Sequence, residues 1–201
     1  MGRANSRISR GNVSSSKLSL AVQYASRAQH LPTRAQLRRW ISAALQRDVS
    51  ITLRIVDESE GRELNKNYRG KDYATNVLTF VYDDSESTPN PPQSPFIRGE
   101  AAPPPDKGRA GEGLGGREGL GDWGVVVPPL SGDVVICAPV VAREAAAQHK
   151  GLLAHYAHLA IHAALHLQGY QHDDERGAAE MESLETALML KLRYPDPYLA
   201  I

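Results

Sequence analysis

The sequence predicts an α+β fold, a single domain in which a small mixed β-sheet of about four strands packs against helices, with a metal site on a C-terminal helix–turn. Three observations predict it. Short alternating apolar runs interleave with helical periodicity up to Tyr82, the chain turns helical to its end after Val135, and a cluster of histidines straddles a helix-breaking glycine. The length, 201 residues, allows one domain or at most two small ones.

Leu18, Leu20, Val22 and Tyr24 alternate as in a half-buried strand. Thr33 is placed to cap a helix reaching about Arg47, whose Leu37, Trp40, Ile41, Ala44 and Leu45 fall at helical spacing. Ile51, Leu53 and Ile55 alternate again as a second strand, followed by a short helix over 58–67 capped by Asp57 or Ser59. Residues 77–82 and 133–137 are strongly β-prone runs. Pro139 suits the first turn of a helix to about Gln148, and a longer helix spans 152–168, with Gly169 where a left-handed terminal residue belongs. The last helix begins after Asp173 or Asp174. Its Met181, Leu184, Leu188 and Leu192 recur every three or four residues until Pro195 stops it.

Two stretches carry no such periodicity. Residues 1–16 are rich in Ser, Arg and Gly and read as a disordered leader, which leaves 17–201 as the domain. Residues 83–127 hold seven of the thirteen prolines and nine of the seventeen glycines, a composition that buries no core. They read as a disordered insertion that interrupts the domain.

Lys and Arg together number 23, as do Asp and Glu, so the net charge is zero. That total excludes a uniformly basic protein that coats nucleic acid. It also conceals an excess of +9 in residues 1–54, where Asp48 is the one acid. The single Cys137 excludes an intrachain disulfide and a cysteine-rich zinc finger. No apolar run approaches the ~18 residues of a membrane span, and the first twenty residues lack the apolar segment of a secretory signal. The expectation is a soluble, cytoplasmic protein without a membrane partner.

Six of the seven histidines lie between His149 and His172. His162 and His166, four residues apart, share one helix face, and a turn at Gly169 returns His172 toward them. This spacing matches the ligands of the metzincin zinc site. Three imidazoles suit zinc and leave a position open for water, as a catalytic zinc requires. Metzincins place a general-base Glu directly after the first histidine, whereas Ala163 stands here, which points to a hydrolase of another class. His158, His162 and His166 form a rival stripe, but on one straight helix they spread over about 12 Å of rise, too far for one ion. His155 and His158 are expected to face solvent or to stand behind the ligands.

The run His162-Ala163-Ala164-Leu165-His166-Leu167-Gln168-Gly169-Tyr170-Gln171-His172 resembles the signature of the YbeY endoribonuclease family. Asn67-Tyr68-Arg69-Gly70-Lys71-Asp72-Tyr73-Ala74-Thr75-Asn76-Val77-Leu78-Thr79-Phe80 and Gly132-Asp133-Val134-Val135-Ile136-Cys137 resemble two further blocks of that family, in the same order. The resemblance implies one zinc ion per chain bound by His162, His166 and His172, and an active-site Arg69, in a single-strand endoribonuclease of rRNA maturation. RNA and the ribosome are then the expected partners, and DNA is not.

Arg69 by itself reads as an ordinary solvated charge. As an active-site group, it has the planar, permanently charged head that binds phosphoryl oxygens in pairs. Lys71 adds a point charge, and Arg38 and Arg39, with Arg34, give the first helix a phosphate-facing edge. Ala163, Ala74 and Gln171 depart from the family's usual Gly, Pro and Asp, with Asp173 or Asp174 as substitutes for that last carboxylate. Two other functions fit the same residues: a ribosome-associated RNA-binding module with a structural zinc, and a metal hydrolase of another substrate.

Overall fold

A computed structural model describes residues 16–82, 129–172 and 174–199. The insertion, and the leader apart from Ser16, lie outside the described residues. The element order is β1 (Leu18–Tyr24), α1 (Arg34–Ala44), β2 (Val49–Val56), α2 (Glu58–Arg69), β3 (Val77–Tyr82), β4 (Leu130–Cys137), α3 (Ala138–Ala147), α4 (Leu152–Leu167) and α5 (Glu175–Lys191). The four strands form one sheet in the order β1-β2-β4-β3. β1, β2 and β4 are parallel, and β3 runs antiparallel along β4 with Val77 opposite Ile136. The predicted α+β class and mixed sheet are the observed ones.

Side-chain alternation explains the layers. Leu53 and Ile55 of β2 and Val134 and Ile136 of β4 enter the main core, where α1, α4 and α5 cover one face of the sheet. Val135 and Cys137 point the other way and, with Val56, Leu78 and Val140, make a second cluster against Leu64 of α2. Ala74 packs on the edge of that cluster. β4 is buried on both faces, which accounts for its unbroken apolar run from Val134 to Cys137. Its Gly132 is required by close approach, since a Cβ there falls 2.3 Å from the Phe80 carbonyl oxygen and 2.4 Å from Leu167 Cδ2.

The helix ends follow local chemistry. Thr33 makes a full capping box with Gln36, its Oγ1 accepting from the Gln36 N–H at 3.2 Å. α1 stops at Ala44 rather than near Arg47, because the end of α4 captures the chain leaving it. Gln168 donates to the Ala44 carbonyl at 2.9 Å and accepts from the Gln46 N–H at 2.7 Å. Asp57 holds the N-cap position of α2 without capping it, its carboxylate instead accepting from the Ser26 hydroxyl. α2 then runs two residues past the predicted end, to Arg69. In α5 the buried stripe is Met181, Glu185 and Met189, continued by Leu192 at its C-cap, while the expected Leu184 and Leu188 are half-buried. That shift brings a carboxylate inside.

Candidate metal centre

α4 is the element that builds the site. Ten of its sixteen residues are buried, as fits a helix packed by α1, α3, α5 and the sheet. His162 and His166 stand on successive turns at the edge of that burial, with their Nε2 atoms 3.0 Å apart. α4 ends in a Schellman turn: Gly169 takes φ +92°, its N–H donates to the His166 carbonyl at 3.0 Å, and Tyr170 N–H donates to the Leu165 carbonyl at 3.2 Å. The turn carries exposed His172 back to the pair, ring centroids 5.7 Å from His162 and 5.0 Å from His166. One ligand nitrogen from each of the three histidines lies within 4.8 Å of the others. The predicted helix–turn trio is thus brought together, and the rival stripe that includes His158 is not.

The donor set fits a cation. His162 Nδ1 lies 2.7 Å from Glu185 Oε1, and His166 Nδ1 lies 2.9 Å from the Tyr170 carbonyl oxygen. A carbonyl accepts only, so His166 carries its proton on Nδ1, and the Glu185 carboxylate sets the same tautomer for His162. Two Nε2 lone pairs then face each other across 3.0 Å, an arrangement that a cation between them relieves. Tetrahedral zinc with nitrogen bonds of about 2.0–2.1 Å separates its ligand atoms by about 3.3 Å. Burial, followed by the neighbouring His162, pushes the His166 pKa down and keeps that imidazole neutral, the form that binds metal.

Glu185 is wholly buried and joins three partners. Besides His162, it takes His158 Nε2 at 3.0 Å and the Tyr198 hydroxyl on Oε2. Burial pushes its carboxyl up, but the hydrogen bonds from His158, His162 and Tyr198 outweigh that and hold it at about 2. Tyr198 is pushed up in turn, by burial first and then by the carboxylate. His155 is buried, its Nε2 2.9 Å from Glu144, whose carboxylate also accepts from Asn76 Nδ2 at 3.0 Å. The solvent-facing expectation fails for both: His155 is buried on Glu144, and His158 stands behind His162 through the shared Glu185 carboxylate. Asp174 caps α5 through the Gly177 N–H at 2.6 Å, so its carboxylate is committed there; Asp173 lies outside the described residues.

Two cavities adjoin the histidines. One of about 180 Å³ is lined by His162, His172, Met181, Glu182, Glu185 and Tyr198. The other, about 330 Å³, is lined by Asn76, Glu144, His155, His158, His162 and Tyr198 among others. Neither is lined by Arg69 or Lys71. Arg69 is the exposed last residue of α2, and Lys71 follows it, exposed, in the connection that leads to Asn76 and the larger cavity. Asp72 in that connection is held by Arg62 at 2.8 Å, and the Tyr73 carbonyl accepts from buried Asn65 at 2.7 Å. On α1, Arg38 donates to the Leu18 carbonyl at 3.2 Å and Arg39 is exposed.

Sequence reasoning did not single out Glu185, Glu144, Asn76 or Tyr198. A signal existed for Glu185, which is an acidic residue four positions from both Met181 and Met189, on the stripe that faces the core.

Fold and site together define an α+β domain with a three-histidine candidate metal centre at the end of a buried helix. The profile of the family described as Endoribonuclease YbeY matches residues 21–193, and the chain belongs to that family. An "Endoribonuclease YbeY" from Nitrosospira multiformis is 48% identical over 183 residues, covering 90% of this chain and 82% of its own. Proteins of the same name from Methylobacillus flagellatus and Aromatoleum aromaticum are 44% and 46% identical, over 90% and 92% of this chain and 94% of each relative. No helix among the described residues is long and apolar enough to cross a membrane.

Proposed function

We propose that the protein is a zinc-dependent, single-strand-specific endoribonuclease of rRNA maturation, acting in the cytoplasm on RNA of the ribosome or its subunits. The observation that carries this reading is the convergence of His162, His166 and His172, with the second nitrogens of His162 and His166 already engaged. Family membership supports RNA as the substrate. One zinc held there supplies Lewis acidity that activates water at neutral pH. The open cavity beside His162 and His172 favours a catalytic over a structural ion, since a structural site is closed by a fourth protein ligand.

The chain's own residues do the rest. His162 and His166 bind in a fixed tautomer, and exposed His172 completes the set from the turn. Arg69 takes the phosphoryl oxygens of the scissile group through paired hydrogen bonds and stabilises the charge that develops on them. Lys71, Arg38 and Arg39 hold neighbouring phosphates. Purified protein is expected to cleave single-stranded RNA, with activity lost in His166→Ala and lowered about 10²–10³-fold in Arg69→Ala. Wild-type-like cleavage by both variants overturns the assignment.

A further inference from the structure

Glu185 is a full negative charge in the interior of a helix, with the buried Met181 and Met189 one turn before and after it. Such a group persists only where its oxygens are answered by donors. Here the donors come from two separate segments. Oε1 receives His162 Nδ1 at 2.7 Å, while Oε2 receives His158 Nε2 at 3.0 Å and the Tyr198 hydroxyl. Two of these groups belong to α4, and the third belongs to the turn after α5.

We infer that Glu185 is the positioning residue of the histidine centre: by accepting the Nδ1 proton of His162 it fixes that ring's tautomer and aims its Nε2 at His166 and His172. This rests on the metal reading of the cluster. An imidazole free to rotate or to change tautomer presents an N–H to the ion in part of its population, and there the bond is lost. His166 needs no carboxylate, because the Tyr170 carbonyl performs the same task from the Schellman turn. His172 is exposed and is carried by the turn, its ring lying against those of His162 and His166. Of the three rings, His162 is therefore the one whose aim depends on a side chain from another helix. The Tyr198 hydroxyl and His158 fill Oε2 and keep the carboxylate from rotating away, so the last described turn of the chain braces the site.

The test compares Glu185→Ala and the isosteric Glu185→Gln with wild type by zinc competition against a chromophoric chelator, with circular dichroism to confirm folding. Zinc affinity is expected to fall about 10- to 100-fold in the Ala variant, and by less in the Gln variant, which retains one acceptor for His162. Nitrogen-15 shifts of His162 in the metal-free protein supply a readout that a purely structural role leaves unmoved. They are expected to report Nδ1–H in wild type and a tautomer mixture in Glu185→Ala. Folded variants with lowered melting temperature but zinc affinity within about two-fold of wild type overturn the inference. So does an Nε2–H tautomer of His162 in the wild-type protein. Failure of the wild type to take up zinc refutes the metal reading instead, and the tautomer measurement still decides the role of Glu185.

Discussion

His162 and His166 face each other through their Nε2 atoms at 3.0 Å, each with its Nδ1 already bonded to an oxygen, of Glu185 and of Tyr170 respectively. Side chains four residues apart on any helix are neighbours. What distinguishes this pair is that the outer nitrogens are spoken for, so the inner ones are left for an ion.

The exposed position of His172 separates metal binding from folding. Removing its ring deletes no core packing, so His172→Ala is expected to change metal-free stability by no more than about 0.5 kcal/mol. Zinc at a hundred times its dissociation constant adds about 2.7 kcal/mol to the wild type, and that increment should vanish in the variant. Denaturant titrations with and without zinc check both halves of this expectation.

Acid should weaken the metal-free protein in two stages. His155 and His166 have folded pKa values lowered by burial from 6.5, so below that value the unfolded chain binds more protons and stability falls with pH. Glu185 is lowered from 4.5 to about 2, so its contribution is complete above 4.5 and is lost as pH falls toward about 2. Urea midpoints of chelated protein from pH 7.5 down to pH 3 should decline through both ranges. A flat profile is the contrary result.

Gly132 tests the close packing behind the site. A methyl there collides with the Phe80 backbone and with Leu167, the residue after His166. Gly132→Ala is expected to cost about 1–3 kcal/mol through overpacking, read as a lowered denaturation midpoint.

RNA contacts are separable by salt. If Arg38 and Arg39 each neutralise one phosphate of a single strand, the double alanine variant flattens the slope of log K against log salt by about 1.4. Binding measured in chelator, where zinc-dependent cleavage is silent, gives that slope directly.

Much of this was legible in the chain. Strand alternation, the Thr33 cap, the Schellman glycine and the His162–His166–His172 spacing are local signals, and the structure reproduces each. The end of α1 was not legible, because it is set by Gln168 from more than a hundred residues away. Glu185 was legible only in part. Its line with Met181 and Met189 marks it as core-facing, but why a charge stands there depends on His158, His162 and Tyr198 converging on it, and that convergence is a property of the packed helices.

Zinc analysis with X-ray absorption on the purified full-length protein tests the central claim most directly. The account predicts one zinc per chain, with three imidazole nitrogens at about 2.0–2.1 Å, and no stoichiometric zinc in His166→Ala. A wild type without stoichiometric metal, or equal zinc content in wild type, His166→Ala and His172→Ala, contradicts it.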